Sequence, residues 1–472
     1  MDFDTARDVL ERNGQAHVLR FWNELDETRR AALLAQIEAL DFEALARMRS
    51  MLAEGGSASA GGDFPPAPVV ELDAAARAAA VERGEAELRA GKVGVVLVAG
   101  GQGSRLGFDG PKGAYPIGPV SGMPLFYFHA RKILALVRRY GKPVPWYIMT
   151  SHANHDATLA CFEEFAWFGL DPEDVFLFRQ GMWPALDDDG RILLADKGTL
   201  FLSPDGHGGT LAALRSSGAL ADMRERGIST VFYFQVDNPM IEMCDPAFLG
   251  AHLAKGAEMS VKVCAKRNAE EGLGVVVERD GACAIVEYSE LTPEQMARTT
   301  ASGELYYKYG SVALHVFSLD FLLREADRPM PIHLAHKKIA CCDPDGVVVA
   351  PDAPNGWKFE KFIFDLLPAA ANVLNLAFDR REEFSPVKNA EGADSPATCR
   401  RDLVAKWARW LDAAGIDVPR DAGGAPAFPI EIDPCFADSG QALAAAGLSG
   451  IRVDGPLWLA EEAPEPGCGD LP

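Results

Sequence analysis

The stretch from Val95 to Ile117 reads VVLVAGGQGSRLGFDGPKGAYPI. It opens as an apolar run without alternation, which suits a strand covered on both faces within a largely parallel sheet. The chain then turns through Gly100, Gly101 and Gly103 and sets Arg105 and Lys112 seven positions apart. Glycines let a backbone approach an anion closely, and the free amides of such a turn point into its concavity. Two familiar phosphate motifs fail here. A Walker loop needs Ser or Thr after its lysine, and Lys112 is followed by Gly113. A dinucleotide fingerprint needs glycine where Leu106 stands. What remains is a phosphate-cradling turn with a forked guanidinium at Arg105 and a movable ammonium at Lys112.

Outward from this turn, short apolar runs alternate with helical periodicity. Strands are predicted at Val93–Val98, Trp146–Met149, Val175–Phe178, Val231–Val236 and Ser260–Cys264. Helices are predicted at Leu125–Arg139, Ala153–Trp167, Gly209–Arg226 and Pro246–Lys255. The pattern defines an open, doubly wound α/β domain with mixed strands after Gly274. Binding sites in such sheets lie beyond the carboxyl ends of the strands. Residues 1–90 read as a helical region, with Leu33, Leu34, Ile37 and Leu40 forming one apolar stripe. Met51–Pro68 interrupts it with Gly, Ser and Pro and reads as a loop, with 51–63 either disordered or a lid. Residues 91–380 form the α/β domain. Residues 381–472 form a small α+β domain, with a helix over Thr398–Ile416 and short strands near IEID and SGIRVDG.

Composition narrows the partners. The 472 residues carry 46 basic and 68 acidic side chains, a formal charge of −22, which argues against nucleic acid and anionic membranes. No apolar run reaches the roughly 18 residues of a membrane span. The start, MDFDTARDVLERNG, is acidic where a signal peptide is basic. Nine scattered cysteines form neither a C-x-x-C pair nor a disulfide framework, so a cytoplasmic location is expected. His152 and His155 in SHANHD lack a third ligand for zinc. His315 and His333 lie among apolar residues and read as core or interface histidines.

LVAGGQGSRLGFDGPKG resembles the signature of eukaryotic-type UDP-sugar pyrophosphorylases, especially those acting on UDP-N-acetylhexosamines. FRQGMWPAL, SPDGHGG, FQVDNPM, GLGVVV, IVEYSEL, LHVFSLDFL, NGWKFEKFIFD and EEFSPVKNA resemble the same group in the same order, from Val93 to Ala390. The resemblance implies a Rossmann-like nucleotidyltransferase fold, Mg²⁺, and reversible formation of UDP-sugar and pyrophosphate from UTP and a sugar 1-phosphate. It implies that Ala99, Gly100, Gly101, Gln102 and Gly103 hold the nucleotide and that Gln180 and Gly206 read uracil. Arg105, Lys112, Lys388 and, secondarily, Lys358 would neutralise phosphates. Asp237, emerging after an apolar strand, would hold Mg²⁺ through oxygen beside the sugar phosphate. Asp237 and Asn238 read equally well as caps of the next turn. No acid/base pair is required, because a charged phosphate oxygen is the nucleophile and the work is alignment and charge stabilisation.

The sugar pocket departs from the relatives. His207 and Ser311 stand where family members that use N-acetylhexosamine phosphates carry asparagine, while Gly274 and Glu287 are retained. Lys308 and Tyr309 beside Ser311 also differ in type. Imidazole and a short hydroxyl offer different bonds from an amide, so glucose 1-phosphate is the expected substrate and N-acetylglucosamine 1-phosphate the alternative. A non-catalytic UDP-sugar sensor or scaffold is the alternative of another class. A dehydrogenase is disfavoured by Leu106.

Overall fold

The computed structural model describes residues 1–54, 62–448 and 451–461. The chain gathers into two compact units, each built from three separated segments. One comprises residues 1–61, 180–212 and 328–365; the other comprises 62–179, 213–327 and 366–472. The units therefore cut across the sequential segments 1–90, 91–380 and 381–472. The physical reason is that buried apolar faces find non-local partners. Leu33 and Ile37 of the helix Glu27–Glu38 pack with Leu186, Ile192, Leu200 and Phe359. The helix Ala74–Arg89 packs instead in the second unit. There Gly84 and Gly250 permit close contact with the helix Pro246–Lys255. A Cβ on either would lie 2.0 Å from the Pro246 carbonyl oxygen or 1.7 Å from that of Ala80.

The second unit holds a nine-stranded mixed sheet: β1 (Val93–Val98), β2 (Trp146–Thr150), β3 (Val175–Arg179), β4 (Thr230–Gln235), β5 (Met259–Ala265), β6 (Val275–Arg279), β7 (Ala282–Val286), β8 (Tyr309–Ser318) and β9 (Val373–Ala377). The order is β7-β6-β8-β4-β1-β2-β3, with β5 paired to both β8 and β9. β1 is parallel to β2 and β4, and β2 to β3; β8 runs antiparallel to β4, β5 and β6. The predicted strands thus occur within a residue of their expected ends, and β6, β7 and β8, whose antiparallel pairing mixes the sheet, follow Gly274. The unbroken apolar runs have their predicted cause, since all of β2 and nearly all of β1 and β4 are buried.

Three expectations change in detail. The helix expected over Gly209–Arg226 is two helices, Thr210–Ser216 and Ala219–Glu225, divided where Gly218 takes φ +84°. The helix expected over Ala153–Trp167 runs only from His155 to Glu164 and then tightens into a turn at Ala166–Gly169. Residues 451–455 of SGIRVDG form no strand; IEI (Ile430–Ile432) pairs in parallel with Leu457–Leu459 instead. The C-terminal helix Pro396–Ala413 buries Cys399, Leu403, Trp407 and Leu411 in the core of the second unit. Met51–Ala53 close the helix Phe42–Ala53, while 55–61 of the predicted loop lie outside the described residues.

In the first unit, short antiparallel ladders join Met182–Pro184 to Leu202–Pro204 and His333–Lys337 to Gly356–Glu360. They frame the loops that carry Gln180, Gly206 and His207.

Candidate active site

β1 ends at Val98, and the Ala99 amide donates to the Met149 carbonyl at 2.8 Å before the glycine turn begins. The turn closes on itself: the Gly103 amide donates to the Gly110 carbonyl at 2.8 Å, and the Lys112 amide to the Gly101 carbonyl at 3.0 Å. Gly101 is exposed and faces open space, with no heavy atom within 4 Å of a Cβ placed there. Gly113 is the opposite case, because a Cβ would come within 2.1 Å of the Phe126 ring. One glycine therefore leaves room for a ligand and the other permits packing. Gln102 reaches the Ala153 carbonyl through its amide nitrogen at 3.2 Å. Arg105 is exposed on the short turn Ser104–Leu106.

Asn154, unmarked by any motif, holds the turn from beneath. Its buried amide nitrogen donates to the carbonyls of Ala99 and Gly101 at 2.8 and 3.2 Å. Its oxygen accepts from the Ser151 amide at 2.8 Å and from the Ser151 hydroxyl at 3.0 Å. Its place just after β2, in SHANHD, is the one local signal of this role. His155 uses Nδ1 to bond the Thr150 hydroxyl at 2.7 Å.

Asp237 follows β4, and its carboxylate lies 3.7 Å from the Lys112 ammonium, with both side chains under one-fifth exposed. The Asp237 carbonyl accepts from the Val387 amide at 2.8 Å, which sets Lys388 of SPVKN beside it. Asn238 secures this arrangement by donating to the Glu383 carbonyl at 2.7 Å and accepting from the Ser385 amide at 3.2 Å. The second unit thus gathers the glycine turn, Lys112 and Asp237 at the carboxyl ends of β1 and β4, with the segment of Lys388 bonded to Asp237 through Val387.

The same unit brings Gly274, Glu287 and Ser311 together. The Ser311 amide donates to the Gly274 carbonyl at 2.8 Å, and a Cβ on Gly274 would lie 3.1 Å from a Glu287 carboxylate oxygen. Ser311 opens an irregularity in β8 where Ala313 takes φ +57°. Lys308 and Tyr309, beside Ser311, bond Glu304 and Glu71.

The first unit gathers its own set. Gln180 is buried, and the following Gly181 accepts from the Asp205 amide at 3.1 Å. Lys361 ties the next loop, its amide donating to the Asp205 carbonyl at 2.8 Å and its carbonyl accepting from the Gly208 amide at 2.8 Å. Gly206 takes φ +84°, and a Cβ there would lie 2.4 Å from the Lys361 carbonyl oxygen. His207 stacks on Phe362, and its Nδ1 accepts from the Ile363 amide at 3.2 Å. Burial and the neighbouring His333 push its pKa down to about 4, so the ring is neutral near pH 7. Asp205 is buried, with its ammonium neighbour Lys361 3.9 Å away; burial pushes the carboxyl up to about 6 against the pull of that charge. Lys358 sits on the strand Gly356–Glu360 with its ammonium 5.2 Å from the Phe201 ring centroid.

Among the described residues, Glu242, Asp245 and Glu383 converge as a metal-ligand set might, with ligand atoms within 4.8 Å of one another. The Lys262 ammonium already occupies this place, 2.6 Å from Glu383 and 2.8 Å from Asp245. Burial opposes its charge, but the two carboxylates outweigh that and hold its pKa above the ordinary lysine value. The cluster is a buried ion network bracing the segments that carry Asp237 and Lys388.

The family model described as UTP--glucose-1-phosphate uridylyltransferase matches residues 69–394. The mouse protein "UDP-N-acetylhexosamine pyrophosphorylase-like protein 1" is 38% identical over 97% of this chain and 98% of its own. Arabidopsis thaliana "UDP-N-acetylglucosamine diphosphorylase 2" is 36% identical over 92% and 90%. The solved uridine diphosphate N-acetylglucosamine pyrophosphorylase from Trypanosoma brucei superposes with a TM-score of 0.82 at 28% identity, covering 97% of this chain and 98% of that one. A Trypanosoma brucei UDP-glucose phosphorylase shares the fold, with a TM-score of 0.62 at 16% identity over 86% and 85% of the two chains. The chain belongs to the eukaryotic-type UDP-sugar pyrophosphorylases. It is an enzyme of the nucleotidyltransferase fold, a UTP-dependent sugar-1-phosphate uridylyltransferase.

Proposed function

We propose that this enzyme forms UDP-N-acetylglucosamine and pyrophosphate from UTP and N-acetylglucosamine 1-phosphate. This replaces the glucose 1-phosphate expected from His207 and Ser311. The nearly full-length relatives named for N-acetylated sugars outweigh the 16% likeness to glucose enzymes. The pocket chemistry supports the same direction. The retained Gly274 has no side chain, and Ser311 is shorter than asparagine, so the change at 311 removes no room for an acetamido group. The neutral His207 is engaged with Phe362 and the Ile363 amide, which weakens the argument that it selects a sugar hydroxyl.

The observation that supports the reaction most is the Lys112–Asp237 pair beside the glycine turn, with the segment of Lys388 tied to Asp237 through the Val387 amide. A sugar-phosphate oxygen attacks the α-phosphorus of UTP, the new P–O bond forms, and the bond to the β-phosphate bridge breaks to release pyrophosphate. Open amides and the exposed Gly101 accommodate the phosphate chain, with Ala99, Gly100, Gln102 and Gly103 shaping the turn. Arg105 and Lys112 neutralise its terminal end, Lys388 the oxygens nearer the sugar, and Lys358 is a secondary partner. Gln180 and Gly206 read the base; Glu287 accepts from sugar hydroxyls. Asp237 fits a hard divalent cation, because its carboxylate stands 3.7 Å from Lys112 and is not spent in a close hydrogen bond. Mg²⁺ would supply charge neutralisation of the crowded phosphate oxygens. Eight described cysteines are free, which supports a reducing cytoplasmic setting. No described helix is long and apolar enough to cross a membrane.

Initial rates of pyrophosphate release from UTP, Mg²⁺ and either sugar phosphate test both levels of this reading. The acetylated sugar should give the higher kcat/KM. Lys112→Ala should lower turnover by about 10²- to 10³-fold, as for a lost charge-stabilising donor. Preference for glucose 1-phosphate would overturn the substrate assignment; unchanged turnover in Lys112→Ala would overturn the site.

A further inference from the structure

The segment that carries Lys388 is held at both ends by the loop that leads into the sugar pocket. That loop, residues 266–274, joins β5 to β6 and ends on Gly274, whose carbonyl accepts from the Ser311 amide. Three residues earlier stands Glu271, its side chain only 6% exposed. The carboxylate accepts from the Arg267 amide at 2.7 Å and from Arg267 Nε at 2.9 Å, which folds the loop on itself. It also takes a two-point contact from Arg380, at 2.6 and 3.1 Å. Burial works against the Glu271 charge, but the Arg267 amide and the two guanidiniums outweigh it and hold its pKa below the ordinary carboxylate value. Arg267, fixed in this way, donates from Nη2 to the Asp394 carboxylate at 2.8 Å. Asp394 takes φ +54°, and its carbonyl accepts from the Lys388 and Asn389 amides at 2.7 and 3.1 Å. Arg380 and Asp394 thus flank Lys388 in sequence, and each is bonded to a loop residue, 109 and 127 positions away.

We propose that Arg267, Glu271 and Asp394 are positioning residues that set the distance between Lys388 and the sugar pocket, so that the ring and the phosphate of one sugar 1-phosphate are received together. This role rests on Lys388 binding phosphate and on Gly274 facing the sugar, as proposed for the site. The reason is geometric. A sugar 1-phosphate carries its phosphate on the ring, so the two halves cannot adjust separately to loops that drift apart. In-line attack tolerates little misplacement, and an error of about 1 Å can lower the rate about a hundredfold. The Val387 amide ties the Lys388 segment towards Asp237 and Lys112. The Arg380–Glu271 and Arg267–Asp394 pairs tie the same segment towards the sugar.

Asp394→Asn in the full-length enzyme tests this role. Asparagine tolerates positive φ and keeps the carbonyl that binds the Lys388 amide, so the substitution removes the ion pair with Arg267 and little else. The pair is partly exposed, so kcat/KM for the sugar 1-phosphate should fall about fivefold, measured with whichever of N-acetylglucosamine 1-phosphate and glucose 1-phosphate is turned over faster. KM for UTP and the melting temperature should stay at their wild-type values. Lys388→Ala should lower the same kcat/KM about 10²-fold. Adding Asp394→Asn to that variant should cost nothing more, because a residue that acts through Lys388 has no effect in its absence. An unchanged kcat/KM in Asp394→Asn, a lower melting temperature without a kinetic change, or full additivity of the two substitutions would overturn the positioning role. An unchanged kcat/KM in Lys388→Ala would overturn the assignment of Lys388, and the positioning role with it. The two single variants thus tell the two failures apart.

Discussion

Asn154 holds the phosphate-facing turn without carrying charge. Its side chain bonds two carbonyls of the turn and the Ser151 amide, so Asn154→Ala leaves buried polar groups unpaired at about 1–3 kcal/mol each. The variant should melt several degrees lower and show a raised KM for UTP, measured by thermal denaturation and initial rates. Asp205 makes a pH-dependent contribution of the opposite kind. Its folded pKa is raised by burial to about 6, so its protonated form favours the fold. That stability is present below about pH 4 and is lost as pH rises through 6, up to about 3 kcal/mol for this shift. Denaturation midpoints of wild type and Asp205→Asn between pH 4 and 7 should diverge, with the variant flatter. Neither residue stood out in the sequence, because a buried polar side chain is recognised by its partners and not by its neighbours in the chain.

The glycine turn shows how an element divides labour among identical residues. Gly101 and Gly113 look alike in GGQGSRLGFDGPKG, yet one faces open space and the other Phe126. Gly113→Ala should destabilise the protein by about 1–3 kcal/mol through overpacking. Gly101→Ala should leave the melting temperature unchanged but weaken UTP binding roughly tenfold by obstructing close backbone approach. Circular dichroism melts and nucleotide titrations of both variants separate the two effects. The strand positions were legible because an uninterrupted apolar run reports burial on both faces. The break at Gly218 was less legible, since helical periodicity continues across it. The partner of IEI was displaced from SGIRVDG because pairing depends on where the returning chain comes alongside.

At the scale of the whole molecule, a charge of −22 opposes compaction through self-repulsion. Raising salt from about 10 to 150 mM shortens the screening length from about 30 to 8 Å, and the melting temperature should rise over that range. A fall would show that the surface ion pairs dominate. The sequence by itself determined the strand–turn unit, the polar residues at the strand ends and membership of an ordered motif series, because these depend on neighbours along the chain. Tertiary structure alone decided that residues 1–61 share a core with 180–212 and 328–365. It also decided that Val387 reaches the Asp237 carbonyl and that Lys262 fills the acidic cluster. Those arrangements arise when distant apolar faces and buried charges find their complements, a condition that local periodicity does not encode.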